Sequence, residues 1–180
     1  AGAIANLSNA SNLRDFTIQY DYAGYTVPEL TMTSLHNVNI TTGAGVVVAN
    51  NVTAGGTGEI NITGNTNVVV ADRSKVGVLV NGGVTIQTTN GDLNITGTGG
   101  SFSSGSNIGV TNDGIIQSSG AGNVTVTGTG GSNTGLNGLN YGLYLEGTIA
   151  SVGGNVTVTG QGGSGGSGND AIVMDAGAIT

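Results

Sequence analysis

Carboxylates are the side chains of this sequence best suited to chemistry. Asp113, Glu146 and Asp175 fall at matching positions of a sequence repeat, so stacked repeats would bring them about 5 Å apart. Carboxylates about 5–9.5 Å apart cleave glycosidic bonds when they converge in a cleft, and a column of them can also hold a cation. The sequence places no Arg nearby and no aromatic platform for a sugar. We therefore expect a solvated acidic edge and no enzyme.

The scarcity of Cys and His excludes most other kinds of catalytic or metal-binding site. The chain has no Cys and one His, which excludes a thiolate nucleophile and a Cys-ligated zinc site and leaves His36 as the single imidazole. Residues 165–173 match the calcium nonapeptide Gly-Gly-x-Gly-x-Asp-x-U-x, with Asp170 as its carboxylate. Successive copies of that nonapeptide share their calcium, and this sequence has one copy. We expect no cofactor, with calcium at Asp170 as the only candidate.

Asn-x-Ser/Thr sequons, the acceptors of N-linked glycans, occur at several positions. Those at Asn39, Asn61 and Asn94 recur with the repeat, where glycans on all three would crowd one another at a spacing of about 5 Å. We interpret these three as stacked residues that hydrogen-bond along the axis. Asn6 and Asn9 remain the glycosylation candidates.

The overall composition excludes nucleic acid as a partner and argues against a membrane span. The 180 residues include 36 Gly but only 3 Lys+Arg and 10 Asp+Glu, for a net charge of -7. So few basic residues cannot track a phosphate backbone, so nucleic acid is excluded. No run of about 18 apolar residues is present, so we expect no membrane span. Apolar residues make up 37% of the chain and alternate with polar ones, which indicates strands instead of disorder.

A repeat of about 32 residues organises the chain from residue 37 onward. The block Asn-Val-Thr-Val-Thr-Gly occurs at 123–128 and 155–160, with looser copies upstream. Its leading apolar residue recurs at Val38, Ile60, Leu93, Val124 and Val156. A second apolar block begins at Val46, Val78, Val110, Leu143 and Ile172, and a third is expected at Val52, Val84, Ile116, Ile149 and Ala178. Each repeat thus contains three short strands separated by Gly-, Asn- and Asp-rich turns.

This pattern predicts an all-β parallel β-helix (β-solenoid), because one coil cannot bury its apolar face without stacking on its neighbours. We assign 37–180 to the repeats, ending mid-coil, with inserted loops at 64–75, 97–107, 128–140 and 160–169. Asn112 interrupts an inward apolar column, and we expect it to bond backbone at a bend. Small residues precede the second strand where we expect close backbone packing, namely Gly77, Gly109, Gly142 and Ala171.

Residues 1–36 differ from the repeats and are interpreted as an atypical N-terminal segment that caps the solenoid or contacts another subunit. Phe16, Ile18 and Tyr20 alternate as a strand there. At the other end the third strand leaves an open edge, which is a template for pairing, so either the chain continues or another molecule covers this edge. We expect end-to-end contact between copies through two groups of residues: Phe16, Ile18 and Tyr20 at one end, and Ile172, Met174 and Ile179 at the other.

The blocks Gly-Asn-Val-Thr-Val-Thr-Gly-Thr-Gly-Gly and Asn-Tyr-Gly-Leu-Tyr-Leu resemble the very large β-strand-repeat surface proteins of bacteria. These are similar to filamentous-haemagglutinin-like adhesins and autotransporter passengers. The resemblance implies a right-handed β-helix, located outside the cell or on its surface, that serves adhesion, matrix or fibre building. We therefore expect a structural protein that stacks along its axis. The alternative is a solenoid that binds surface glycans or host cells through the four inserted loops.

Overall fold

A computed structural model describes residues 14–21, 23–33, 35–66, 76–102, 105–133, 135 and 138–180. This part of the chain contains strands and turns but no helix that could span a membrane. The strands, coil by coil, are β1 Phe16–Tyr20, β2 Tyr25–Val27 and β3 Leu30–Met32; β4 Val38–Thr42, β5 Val46–Val48 and β6 Val52–Ala54; β7 Ile60–Gly64, β8 Val78–Val80 and β9 Thr85–Thr88; β10 Leu93–Thr98, β11 Val110–Asn112 and β12 Ile115–Ser118; β13 Val124–Thr129, β14 Leu143–Leu145 and β15 Thr148–Ser151; β16 Val156–Gln161, β17 Ile172–Met174 and β18 Ala178–Ile179.

The strands form three parallel sheets with one strand from every coil. The sheets are β1-β4-β7-β10-β13-β16, β2-β5-β8-β11-β14-β17 and β3-β6-β9-β12-β15-β18, with six strands each. Every pairing is parallel, and the leading residues Val38, Ile60 and Leu93 lie directly beside one another. The predicted fold class, a β-solenoid with three short strands in each coil, is confirmed.

The core lies inside the three sheets and is made of the inward residue at every second position. In the first sheet, Val38, Ile60, Leu93 and Val124 are fully buried, as are Ile40, Ile95 and Val126 beside them. Each buried Val, Ile or Leu stabilises the fold by about 1.5–3 kcal/mol. β-Branched side chains suit this surface because their restricted rotamers pack well on a pleated sheet.

The solenoid begins earlier than residue 37, which corrects the expected boundary. Phe16 pairs with Val38 and Ile18 with Ile40, so β1 continues the first sheet. The other two sheets likewise gain β2 and β3. The reason is that register depends on inward apolar positions, and this coil supplies them without the Asn-x-Thr motif that marks later coils. A capping or contact role for residues 1–36 stays a prediction.

The third strand is shifted in two coils relative to the sequence expectation. Ile86, and not Val84, pairs with Val52 and Ile116. Similarly, Ile179 and not Ala178 pairs with Ile149. The turn before β9 is longer because it includes Gly83 at φ 78°, and the N–H of Val84 donates to the Asn81 carbonyl to close it (3.2 Å). Turn length, which apolar spacing alone does not reveal, sets this register.

Glycine is required where the end of the first strand crosses the start of the second. A Cβ on Gly97 or Gly128 would lie 2.1 or 2.0 Å from the carbonyl oxygen of Gly109 or Gly142. In turn, a Cβ on Gly109 would lie 2.4 Å from the backbone nitrogen of Thr129. These contacts confirm close packing before the second strand. An added Cβ would clash with backbone atoms, and no change of side-chain rotamer can relieve such a clash.

We predict that Gly128→Ala destabilises the fold by about 3 kcal/mol or more, because the added methyl group forces the backbone of two strands apart. Urea unfolding followed by circular dichroism measures the change in free energy of unfolding. Gly82→Ala is the matched control, since its Cβ would meet its nearest atom at 3.9 Å. We expect that control to stay within about 0.5 kcal/mol of the parent. Equal midpoints for both variants would contradict the close-packing account.

Candidate functional site

A column of polar side chains lines the corner before the first strand of each coil. The side-chain oxygen of one residue accepts a hydrogen bond from the backbone N–H of its equivalent in the next coil. The bonds run from Asn37 to Asp15 (2.8 Å), Glu59 to Asn37 (2.8 Å), Asn123 to Asp92 (2.8 Å) and Asn155 to Asn123 (3.0 Å). The column ties successive coils together where the backbone turns and no sheet is present.

Asparagines stack on the outer face of the first sheet, as the sequence predicts. The Asn61 side-chain amide donates to Asn39 Oδ1 (3.0 Å), and that of Asn94 donates to Asn61 Oδ1 (2.9 Å). The Asn61 amide thus donates to one neighbour along the axis and accepts from the other. The bonds confirm the ladder interpretation of these three residues. Asn6 and Asn9, the glycosylation candidates, lie outside the described residues.

A second asparagine ladder lies inside the loops and was not expected. Asn107 Nδ2 donates to Asn140 Oδ1 (3.1 Å), and Asn140 Nδ2 donates to Asn169 Oδ1 (3.0 Å). Asn107 and Asn140 are fully buried. The sequence does contain a signal, because each of these residues lies three positions before its coil's second strand. The inserted loops at 97–107, 128–140 and 160–169 are therefore anchored at their last residue.

Asn112 behaves as expected. Its side-chain amide donates to the Thr148 carbonyl (3.2 Å), while its Oδ1 accepts from the N–H of Gly114 (3.3 Å). The side chain is fully buried. It therefore replaces an apolar core residue with a satisfied polar one at the bend between two strands.

We predict that Asn140→Asp destabilises the fold by about 3 kcal/mol at neutral pH. Asn140 Nδ2 also faces the carbonyls of Ser164 (3.1 Å) and Gly165 (2.9 Å), so a carboxylate would meet oxygens where the amide donated. Protonation restores a donor, so the variant should regain stability as the pH falls. Urea midpoints at pH 7 and pH 4 measure this, with half-exposed Asn61→Asp as the control. A midpoint loss for Asn140→Asp that is the same at both pH values would contradict the prediction.

The acidic column at the second corner is organised by a tyrosine. The Tyr144 hydroxyl lies 2.8 Å from Glu146 Oε1 and 3.1 Å from Asp175 Oδ2. These hydrogen bonds raise the pKa of Tyr144 above its usual range. The Tyr144 ring also stacks on Tyr141, with centroids 6.1 Å apart. Sequence reasoning found the column of acids but missed this tyrosine, which lies two residues before Glu146.

Asp113 lies one coil before Glu146 in the same column. Partial burial, and then the charge of Glu146, raise the pKa of Asp113. A carboxyl whose folded pKa is raised adds stability as the pH falls through that value and loses it as the pH rises. The column therefore carries repulsion at neutral pH that no described basic side chain in it relieves.

We predict that Asp113→Asn raises the urea midpoint at pH 7 and changes it little at pH 3, where the parent carboxyl is already protonated. The physical reason is removal of a charge that is partly buried and repelled by Glu146. Chemical unfolding at the two pH values measures the difference. A loss of stability at pH 7 would show that the carboxylate of Asp113 makes a favourable contact instead.

The calcium candidate has an exposed position. Asp170 is exposed just before β17, and the preceding turn contains Gly165 and Gly166 at φ 74° and 65°. Within the described ranges, no three His, Cys, Asp or Glu side chains lie close enough to hold a metal ion. Calcium at Asp170 stays a prediction. The same holds for the expectation that the protein has no cofactor.

A shallow trough of about 410 Å³ runs along the axis where three of the inserted loops leave the first sheet. Three successive coils contribute equivalent residues to it. The trough is lined by Thr98, Gly99, Ser101, Thr129, Gly130, Gly131, Ser132, Gln161, Gly162, Gly163 and Ser164. Five of these residues are glycines, and the side chains of the others are hydroxyls and one amide. Ser132 Oγ donates to Ser101 Oγ (2.9 Å).

The residues predicted to contact another copy lie at opposite ends of the solenoid, on edge strands of the sheets. In the last coil, Ile172, Met174 and Ile179 are 39, 52 and 40% exposed, although they occupy inward columns. Their equivalents one coil earlier are fully buried, namely Leu143, Leu145 and Ile149. In the first coil Phe16 is a buried core residue, Ile18 is half-buried and Tyr20 is exposed. Because the Phe16 side chain is buried, the predicted contact with another copy could use the backbone edge of β1 at Phe16 but not this side chain.

Comparison of the chain with protein-family models, curated proteins and solved structures finds no significant match to any of them.

Proposed function

We propose that this chain is a non-catalytic structural segment of an extracellular or cell-surface fibre, matrix or adhesin, which assembles by stacking along the solenoid axis. The repeat style, similar to that of large bacterial surface proteins, supports the location. An antibody against the purified chain, applied to intact cells, tests it. Labelling only after the cells are broken open would contradict a surface location.

The open last coil carries the proposal of axial stacking. Three of its inward apolar side chains, those of Ile172, Met174 and Ile179, keep 39–52% of their surface in contact with solvent, while their columns are dry one coil earlier. Three strand edges, those of β16, β17 and β18, are unpaired at the same end. Exposed apolar side chains and open edges favour addition of another rung, because both the hydrophobic effect and the backbone hydrogen bonds then continue.

We predict that the parent chain increases in average mass with concentration and that Met174→Lys prevents this. Met174 lies on an inward column of the open coil, so a Lys there must bury its charge when a rung is added. Static light scattering over a concentration series measures the mass. Ile115→Lys is the matched control, since Ile115 is 39% exposed but lies on β12, which is paired on both sides by β9 and β15. A parent chain that stays monomeric at every concentration would overturn the proposal.

The second candidate function is binding of a surface glycan or host cell, favoured by the trough. Its hydroxyl side chains and the amide of Gln161, set between glycines, follow the repeat of the coils and would suit a hydroxylated polymer that lies along the axis. Against it stands the lack of an aromatic residue in the lining, since aromatic side chains usually anchor binding sites. A glycan array tests it, with Gln161→Ala expected to weaken any binding. No bound glycan on the array would dispose of this candidate.

A further inference from the structure

We propose that Asn81 is a site of spontaneous deamidation, which converts it to a carboxylate and extends the acidic column at the second corner by one coil. In this reaction the backbone nitrogen of Gly82 attacks the side-chain carbonyl carbon of Asn81. A C–N bond forms, and the side-chain nitrogen leaves as ammonia together with the proton of the Gly82 N–H. Water then opens the cyclic imide at one of its two carbonyl carbons, which leaves either aspartate or isoaspartate. The net reaction consumes water and releases ammonia.

Asn81 occupies the position of the acidic column one coil before Asp113. In four successive coils, the backbone N–H at this position donates to an equivalent carbonyl of the preceding coil. The bonds run from Asn81 to Val48 (3.1 Å), Asp113 to Val80 (3.0 Å), Glu146 to Asn112 (2.9 Å) and Asp175 to Leu145 (3.1 Å). Asn81 is thus the amide counterpart of three carboxylates, and its deamidation would give the column a fourth.

The turn that follows Asn81 leaves the attacking nitrogen accessible. It spans residues 81–84 and is closed by the bond from the Val84 N–H to the Asn81 carbonyl (3.2 Å). Within the part of the chain that the structure describes, the Gly82 N–H donates to no acceptor. Gly82 and Gly83 are exposed, and a Cβ on Gly82 would lie 3.9 Å from the nearest atom beyond its chain neighbours. The nitrogen can therefore approach the side chain without breaking a hydrogen bond or displacing a packed atom.

The residue types at this turn also favour the reaction. Asn is among the thermolabile residues of proteins. Gly82 places no Cβ beside the attacking nitrogen, and glycine allows the backbone rotation that the attack requires. The Asn81 side chain is half-buried and makes no hydrogen bond to any residue that the structure describes. Its amide is therefore free to turn toward Gly82.

Asn90–Gly91 is a second Asn–Gly pair, and the fold restrains it. Asn90 Oδ1 accepts a hydrogen bond from the N–H of Ala121 in the next coil (3.1 Å). Gly91 is buried, and a Cβ there would lie 2.1 Å from the carbonyl oxygen of Gly58. Attack would require the side chain to give up its bond and the packed backbone to move. We therefore expect Asn90 to react slowly in the folded chain, although it is more exposed than Asn81.

The new carboxylate would lie about 4.8 Å from the equivalent position at Asp113. Burial, and then the charge of Glu146, already raise the pKa of Asp113, so the fold disfavours its charged form. A further negative charge on the other side of Asp113 adds repulsion, because like charges at this spacing destabilise paired strands. Isoaspartate would also lengthen the backbone of the turn that sets the register of β9. Deamidation should therefore weaken the fold at neutral pH.

Incubation of the folded chain at mildly alkaline pH tests the site. Peptide mapping by mass spectrometry follows each Asn–Gly pair separately, including Asn137–Gly138, whose Asn137 lies outside the described residues. We expect Asn81 to convert about tenfold or more faster than Asn90, a difference of about 1.4 kcal/mol in activation free energy. In urea the two should convert at similar rates. Equal rates in the folded chain would overturn the proposal, and a difference that persists unchanged in urea would overturn the role of the fold.

Gly82→Ala is the matched variant, because an added Cβ hinders the attack but fits the open turn. Its conversion at Asn81 should be about tenfold slower, with Asn90 unchanged. Conversion at the parent rate would contradict attack by the Gly82 nitrogen.

Ion-exchange chromatography separates converted from unconverted chain, because conversion adds a negative charge. We expect the converted chain to unfold at a lower urea concentration at pH 7. An equal or higher midpoint would overturn the effect on the acidic column, while the modification itself would stand.

Discussion

In-register parallel stacking is the constraint on which the rest of this structure depends. It places each strand residue about 4.8 Å from the equivalent residues of the neighbouring coils. The side chain at each strand position must therefore pack or hydrogen-bond with a similar side chain above and below it. Val, Ile and Leu satisfy that condition inside the sheets, and Asn satisfies it outside because its amide both donates and accepts. Charged side chains do not, which explains why 7% of the residues are charged. The acidic column is the exception, with Tyr144 hydrogen-bonded between two of its carboxylates.

The same constraint explains why the chain contains so much glycine. Where the first strand meets the second, the two backbones pass so close that no Cβ fits between them. A Cβ on Gly128, for example, would lie 2.0 Å from the carbonyl oxygen of Gly142. Because the crossing repeats in four successive coils, at Gly64, Gly97, Gly128 and Gly160, small residues are needed in a column and not at one position. The glycines lining the trough also serve packing, since a Cβ on Gly130 would lie 2.0 Å from the Asn140 carbonyl oxygen. Their presence is therefore explained without a ligand.

Sequence periodicity predicts the features that repeat and misses those that do not. The columns of Val38 and Ile40 and the ladder of Asn39 follow from spacing alone. Periodicity does not detect the first coil, because Phe16 and Ile18 occupy the same columns without the sequence motif of the later coils. Periodicity also does not predict the shift from Val84 to Ile86, because that shift depends on a turn in which Gly83 has a positive φ. The ladder of Asn107, Asn140 and Asn169, of which the first two are buried, was hidden by loops of unequal length, although each residue keeps a fixed distance from the following strand.

A solenoid built this way has no intrinsic reason to stop. Each coil offers the next one the same donors, acceptors and apolar columns that it received, and the sheet edges do not close as they would in a barrel. Termination requires a coil that breaks the columns, and the last coil, with Ile172 and Met174 on them, does not. The two ends nevertheless differ, because the inward residues of the first coil are mostly buried and those of the last are not. The apolar surface left open for a further rung therefore lies in the coil that contains Ile172 and Met174.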